Sequence, residues 1–128
     1  MNQLKLQEYP SLFFEAAGGA KGRPLLLFLH GIGESGTDLE KVRAYGPPKL
    51  FPQYGLDRFS LLAPQCPEGR FWDGGLLSSF IEKAVGKINA DGRRIYLTGF
   101  SMGGFGAWDL AAEIPERFAA VAMVSGGG

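Results

Sequence analysis

The chain has 128 residues, 45% of them hydrophobic and 20% charged, which suits one soluble domain able to bury roughly two-thirds of its unfolded surface. Thirteen Lys+Arg balance 13 Asp+Glu, and no basic stripe argues for nucleic acid or an anionic membrane surface. The lone Cys66 excludes an intrachain disulfide, the first residues lack the apolar core of a signal peptide, and no apolar run approaches bilayer length. A cytoplasmic protein that partners neither nucleic acid nor membrane is therefore expected.

In chain order, residues 11–16 read as a short edge strand, closed by a glycine-rich turn at 18–22. Residues 24–29 (PLLLFL) form a continuous apolar run without alternation, the pattern of a strand buried on both faces of a parallel sheet. A long loop follows over 31–49, carrying Gly46-Pro47-Pro48. Residues 59–63, 94–98 and 119–124 are three further runs of the buried-strand kind. Between the first two of these, Leu76, Leu77, Phe80, Ile81, Ala84, Val85 and Ile88 recur at helical spacing, with Asp73 as N-cap and Asp91-Gly92 as the exit turn. A second helix is predicted over 102–113, stopped by Pro115. Strands alternating with helices predict an α/β fold, a mostly parallel sheet with helices on both faces.

Gly99-Phe100-Ser101-Met102-Gly103 has the Gly-x-Ser-x-Gly form of a nucleophile elbow, in which a strand turns sharply into a helix and exposes a serine hydroxyl. The match is weak alone in a chain with 20 glycines, and its competing reading is a structural Gly/Ser turn. Context favours the elbow, because a strand precedes it and Gly103, Gly104 and Gly106 crowd the helix that follows. Each glycine costs about 1 kcal/mol against alanine there, which is reasonable only where helix and strand approach closely. Ser101 would then be the catalytic nucleophile, and the Met102 N–H, at a helix N-terminus, one donor to an oxyanion. The second donor is expected from His30-Gly31-Ile32-Gly33, through the Ile32 N–H. His30 is expected to fix this loop by hydrogen bonds rather than to take a proton. Gly31, Gly33, Gly99 and Gly103 are the other supporting positions.

Gly31-Ile32-Gly33-Glu34-Ser35-Gly36 also spells a dinucleotide fingerprint, but no acidic residue ends the next strand to hold a ribose. Phe71 and Trp72 follow the second buried strand and either line a substrate pocket or cap the core. Phe100 is grouped with them as substrate-binding, whereas Phe105 and Trp108 are expected in the core. Cys66 reads as inert packing. No metal-ligand spacing is present, and neither a metal nor a cofactor is expected.

These stretches together resemble the α/β-hydrolase superfamily, in its carboxylesterase/phospholipase-type branch with predicted peptidases and feruloyl-esterase-like enzymes. The residues that carry the resemblance are 27–36 (LFLHGIGESG), 62–67 (LAPQCP) and 94–104 (RIYLTGFSMGG). It implies a serine esterase acting on a small-molecule ester, with Ser101 as nucleophile, Ile32 and Met102 as oxyanion donors, Trp72 near the acyl group, and no cofactor. In that branch the triad acid and histidine follow two further strands. Residues 1–128 are thus expected to be a single hydrolase domain lacking them, with impaired activity. The alternative is a non-catalytic relative that self-associates through the edge of its last strand.

Overall fold

The computed structural model describes residues 2–124. Six strands, β1 (Asn2–Lys5), β2 (Pro10–Phe14), β3 (Leu25–Leu29), β4 (Ser60–Pro64), β5 (Ile95–Phe100) and β6 (Ala120–Val124), form one sheet in the order β1-β2-β4-β3-β5-β6. The four later strands run parallel, while β1 and β2 pair antiparallel at one side. The helices are α1 (Gly46–Leu50), α2 (Gly74–Ile88) and α3 (Met102–Glu113), with 3-10 turns over Ile32–Glu34, Leu39–Ala44, Gln53–Arg58 and Pro115–Arg117.

The two-residue period of a strand divides the apolar runs between two cores. Leu25, Leu27 and Leu29 join Leu62, Ile95 and Leu97 beneath α2 and α3. Leu26 and Phe28 join Leu12, Phe14, Leu61 and Ala63 on the opposite face, under Val42 and Phe51 from the segment around α1. This explains the continuous apolar character of β3 and β4, since both faces are covered.

Several expectations need correction. The strand read as an edge, β2, is interior, because β1 pairs along it with Asn2 opposite Phe13. The strand β6 is not buried on both faces: its residues alternate between exposed and half-buried, and Val124 is 49% exposed. Helix α2 has Asp73 as its cap, with the Leu76 N–H donating to Oδ1 at 2.9 Å, but it ends earlier than Asp91, at Asn89 in the left-handed conformation (φ 64°). Phe105 and Trp108 lie outside the core, 62% and 51% exposed. The inward face of α3 is instead Met102, Gly103, Gly104, Gly106, Ala107 and Leu110, residues small enough to seat the helix on the sheet.

Candidate active site

Strand β5 passes into α3 through one residue, Ser101, whose φ of 57° and ψ of −116° lie where side chains other than glycine are strained. The turn is held from both sides. The Ser101 N–H donates to the Val124 carbonyl at 2.9 Å, and the Gly104 N–H donates to the Ser101 carbonyl at 2.8 Å. Helix and sheet then meet at backbone distance. A Cβ on Gly99 would overlap the Gly103 carbonyl, and one on Gly103 would overlap the Leu29 carbonyl of β3. Glycine is required at both positions for space, not for conformation.

The segment leaving β3 arrives beside this turn. A Cβ on Gly31 would stand 3.4 Å from the Phe100 carbonyl oxygen and 3.5 Å from the Ser101 Cβ. The next residues turn into the 3-10 segment Ile32–Glu34, leaving the Ile32 side chain 67% exposed. Among the described residues neither the Ile32 N–H nor the Met102 N–H has a hydrogen-bond partner, and both open helical segments. Gly33 differs from its neighbours: nothing lies within 4 Å of where its Cβ would be, so no close approach demands glycine there.

His30 is fully buried, with both ring nitrogens occupied. Nδ1–H donates to the Gly31 carbonyl at 2.6 Å, and Nε2 accepts from the Cys66 N–H at 2.9 Å. Burial holds the imidazole below its ordinary pKa, only partly opposed by the Gly31 bond. The pairing fits a neutral ring that joins the loops after β3 and β4. Trp72 completes the junction, donating Nε1–H to the His30 carbonyl at 3.1 Å. Gly106 makes room for it, since a Cβ there would sit 2.6 Å from the Trp72 Cβ.

Two polar residues with no role assigned from sequence take part. Glu34, 7% exposed, accepts the Gly31 N–H on Oε1 at 3.2 Å, and burial pushes its carboxyl above the ordinary range. Gln65, fully buried, donates Nε2–H to the carbonyls of Glu34 at 2.9 Å and Asp38 at 2.7 Å. The only available signal was their place in conspicuous motifs, GIGESG and APQCP, since burial of a polar side chain leaves no periodic trace. Cys66 is a buried free thiol whose pKa burial raises, an effect the Arg70 charge opposes without overcoming.

An open cleft of about 410 Å³ lies at Ser101, lined by Ile32, Met102, Phe71, Trp72, Phe105 and Asp109 among others. The sequence alternatives for Phe71 and Trp72 thus resolve differently. Phe71 is 77% exposed at the mouth, while Trp72, 5% exposed, both lines the cleft and belongs to the core. Phe100 does not join them. Its ring borders a separate apolar cavity of about 300 Å³ with Phe28, Tyr45, Pro47 and Val124, because successive residues of β5 point to opposite faces. Asp109 and Phe105 are the cleft residues that sequence reasoning missed: Asp109 belongs to no motif, and Phe105 was expected in the core. Among the described residues no group of His, Cys, Asp and Glu has the spacing to hold a metal ion, and no helix is long and apolar enough to cross a membrane.

A mostly parallel sheet whose β5–α3 turn raises a strained serine beside a cleft defines an α/β-hydrolase fold, and solved structures agree. A thermostable esterase superposes with a TM-score of 0.71 at 31% identity, over 94% of this chain and 39% of that one. An α/β-hydrolase enzyme from the sediment metagenome of the Mar Chica lagoon, Morocco, superposes with a TM-score of 0.62 over 100% of this chain and 53% of its own, at 19% identity. The family model described as "Putative esterase" matches residues 51–127, and the chain belongs to that esterase family. Among curated relatives, "Putative esterase NocK" of Nocardia uniformis subsp. tsuyamanensis is 32% identical over 116 residues, covering 83% of this chain. The chain spans 33% of the length of that relative.

Proposed function

We propose that the protein hydrolyses a small-molecule carboxylic ester by acyl transfer through Ser101. The observation that carries this reading is the strained Ser101 backbone between β5 and α3, opening on the cleft. In this reading the turn is a nucleophile elbow. The Ser101 hydroxyl oxygen bonds to the ester carbonyl carbon, its proton passes to a general base, and the carbonyl oxygen becomes an oxyanion. The unpartnered N–H groups of Met102 and Ile32 receive that charge, at the positive end of α3. Collapse expels the alcohol and leaves acyl-Ser101, which water then releases as the acid.

Gly31, Gly99 and Gly103 support this site by permitting close approach, and His30 supports it by joining the two loops. Gly33 has no such steric case, and Phe100 is not assigned to this cleft. The base is a further matter: His30 is the single histidine of these 128 residues and its two nitrogens are engaged. Hydrolysis of p-nitrophenyl acetate by these residues alone is therefore expected to run about a millionfold below a complete triad. Residues 1–128 are read as part of one domain, in a cytoplasmic setting that suits a free buried Cys66, with no nucleic-acid or membrane partner. A second reading, association without catalysis, has support in the exposed apolar side chains of Trp108 and Val124.

Intact-mass analysis after prolonged fluorophosphonate treatment tests the first reading. Slow labelling confined to Ser101 and absent from Ser101→Ala is expected. A folded chain that labels elsewhere, or not at all, removes Ser101 as the reacting serine.

A further inference from the structure

The cleft beside Ser101 combines aromatic walls with one charged group, and we propose that it selects esters carrying an ammonium group on the portion distal to the reacting carbonyl. The inference rests on Ser101 as the reacting serine only in making the ligand an ester; the charge preference comes from the cleft itself.

Phe105 and Asp109 are spaced four apart, so they fall in one row along α3, whose N-cap is Ser101. Asp109 stands about 12 Å along the helix axis from Ser101, and helical side chains lean back toward the N-terminus, which shortens the gap. A carboxylate is thus set beyond the point of attack, at the reach of a substrate's far end, with the Phe105 ring between. Phe71 and Trp72 supply the facing wall, from the segment just before α2. Phe71 and Phe105 are 77% and 62% exposed, so their ring faces are open to a ligand. The polar edge of Trp72 is already committed to the His30 carbonyl, so what it offers the cleft is ring surface.

Among the described residues no lysine, arginine or histidine lines the cleft. Arg70 lies in an adjoining cavity that shares Phe71, together with Asp73. Aromatic faces attract cations through their quadrupole, and a carboxylate adds direct Coulomb attraction. An anionic group in the same position meets a like charge and the negative faces of the rings. A neutral alkyl group gains burial but neither electrostatic contribution.

The test compares two ligands of nearly equal shape, 4-(trimethylammonio)butyl acetate and its uncharged isostere 5,5-dimethylhexyl acetate. Both are titrated into Ser101→Ala, so that neither ester is consumed, and tryptophan fluorescence follows binding. The cation is expected to bind about tenfold more tightly at low salt. Adding Asp109→Asn or, separately, Phe105→Leu should reduce that preference to below about threefold, as should raised salt in the parent. Both substituted side chains are exposed, and folding is checked by cooperative unfolding. Equal binding of the two ligands, a preference that survives Asp109→Asn, or no binding of the cation overturns the proposal. Fluorophosphonate labelling of the unsubstituted chain reports on Ser101 separately. Should labelling fail while the cation preference persists, the cleft takes ammonium compounds and the ester assignment falls.

Discussion

The two sides of α3 are built on opposite rules. Toward the sheet, Gly103 meets the Leu29 carbonyl and Gly106 meets Trp72 with no room for one more carbon, and His30 and Trp72 tie the adjoining loops together through buried hydrogen bonds. On the other side, Phe105 and Trp108 are exposed, and β6, whose Val121 and Met123 border Trp108, alternates between exposed and half-buried residues. The packed side fixes where Ser101 and the unpartnered N–H groups of Ile32 and Met102 stand. The open side leaves apolar surface available to a ligand or to another chain. Close packing is thus concentrated where the acyl transfer we propose would need sub-ångström placement, and the aromatic side chains that would ordinarily form a core face outward.

The contrast can be broken most sharply at Gly103. Gly103→Ala drives a methyl group into backbone, which cannot yield as a side chain can, and is expected to cost upwards of about 3 kcal/mol in urea unfolding. Gly33→Ala, a nominally similar change in the neighbouring loop, meets nothing and should stay within about 0.5 kcal/mol. Gly106→Ala falls between them at about 1–2 kcal/mol, because Trp72 has to shift while the helix gains propensity. A smaller cost at Gly103 than at Gly33 would show that the seam is not the rigid part.

The buried polar pair sharpens the same comparison through pH. Burial lowers the folded-state pKa of His30, so its contribution is present above the ordinary value of about 6.5 and is lost as pH falls, when the unfolded imidazole takes a proton that the buried one refuses. Burial raises the pKa of Glu34, which has the opposite sign: its contribution is fullest below the ordinary carboxylate value and is lost as pH rises through the folded one. Urea midpoints from pH 5 to 8 should therefore lose their acid-side decline in His30→Asn, with a slope change no steeper than about 1.4 kcal/mol per pH unit. In Glu34→Gln they should lose the opposing trend. On the open side Trp108→Ser is expected to change stability by less than about 0.5 kcal/mol while reducing any concentration-dependent association in light scattering.

Much of this was legible from residue order. The continuous apolar runs at 24–29 and 59–63 predicted two-sided burial, and glycines clustered after Ser101 predicted helix–strand contact, because both follow from local geometry. Residues 119–124 look the same in sequence, yet their strand is half exposed, since burial depends on what lies alongside. The strand β1 escaped notice because Asn2–Lys5 offers a single apolar residue and gains its order by pairing with β2. Phe105 and Trp108 were misjudged on hydrophobicity alone, when Gly103, Gly104 and Gly106 already marked the inward face. Glu34 and Asp109 were invisible for a different reason. The function of a carboxylate depends on its surroundings, which residue order does not state.

In the proposed reading, position 101 presents its side chain to solvent at a point that favours negative charge. Ser101→Cys tests this without needing a general base, by following alkylation with iodoacetamide against pH, with buried Cys66 as the slow internal control. A thiol that reacts readily and titrates below the ordinary value of about 8.5, as thiols at helix N-termini do, is expected. A thiol that is shielded, or that titrates at or above that value, would contradict that reading.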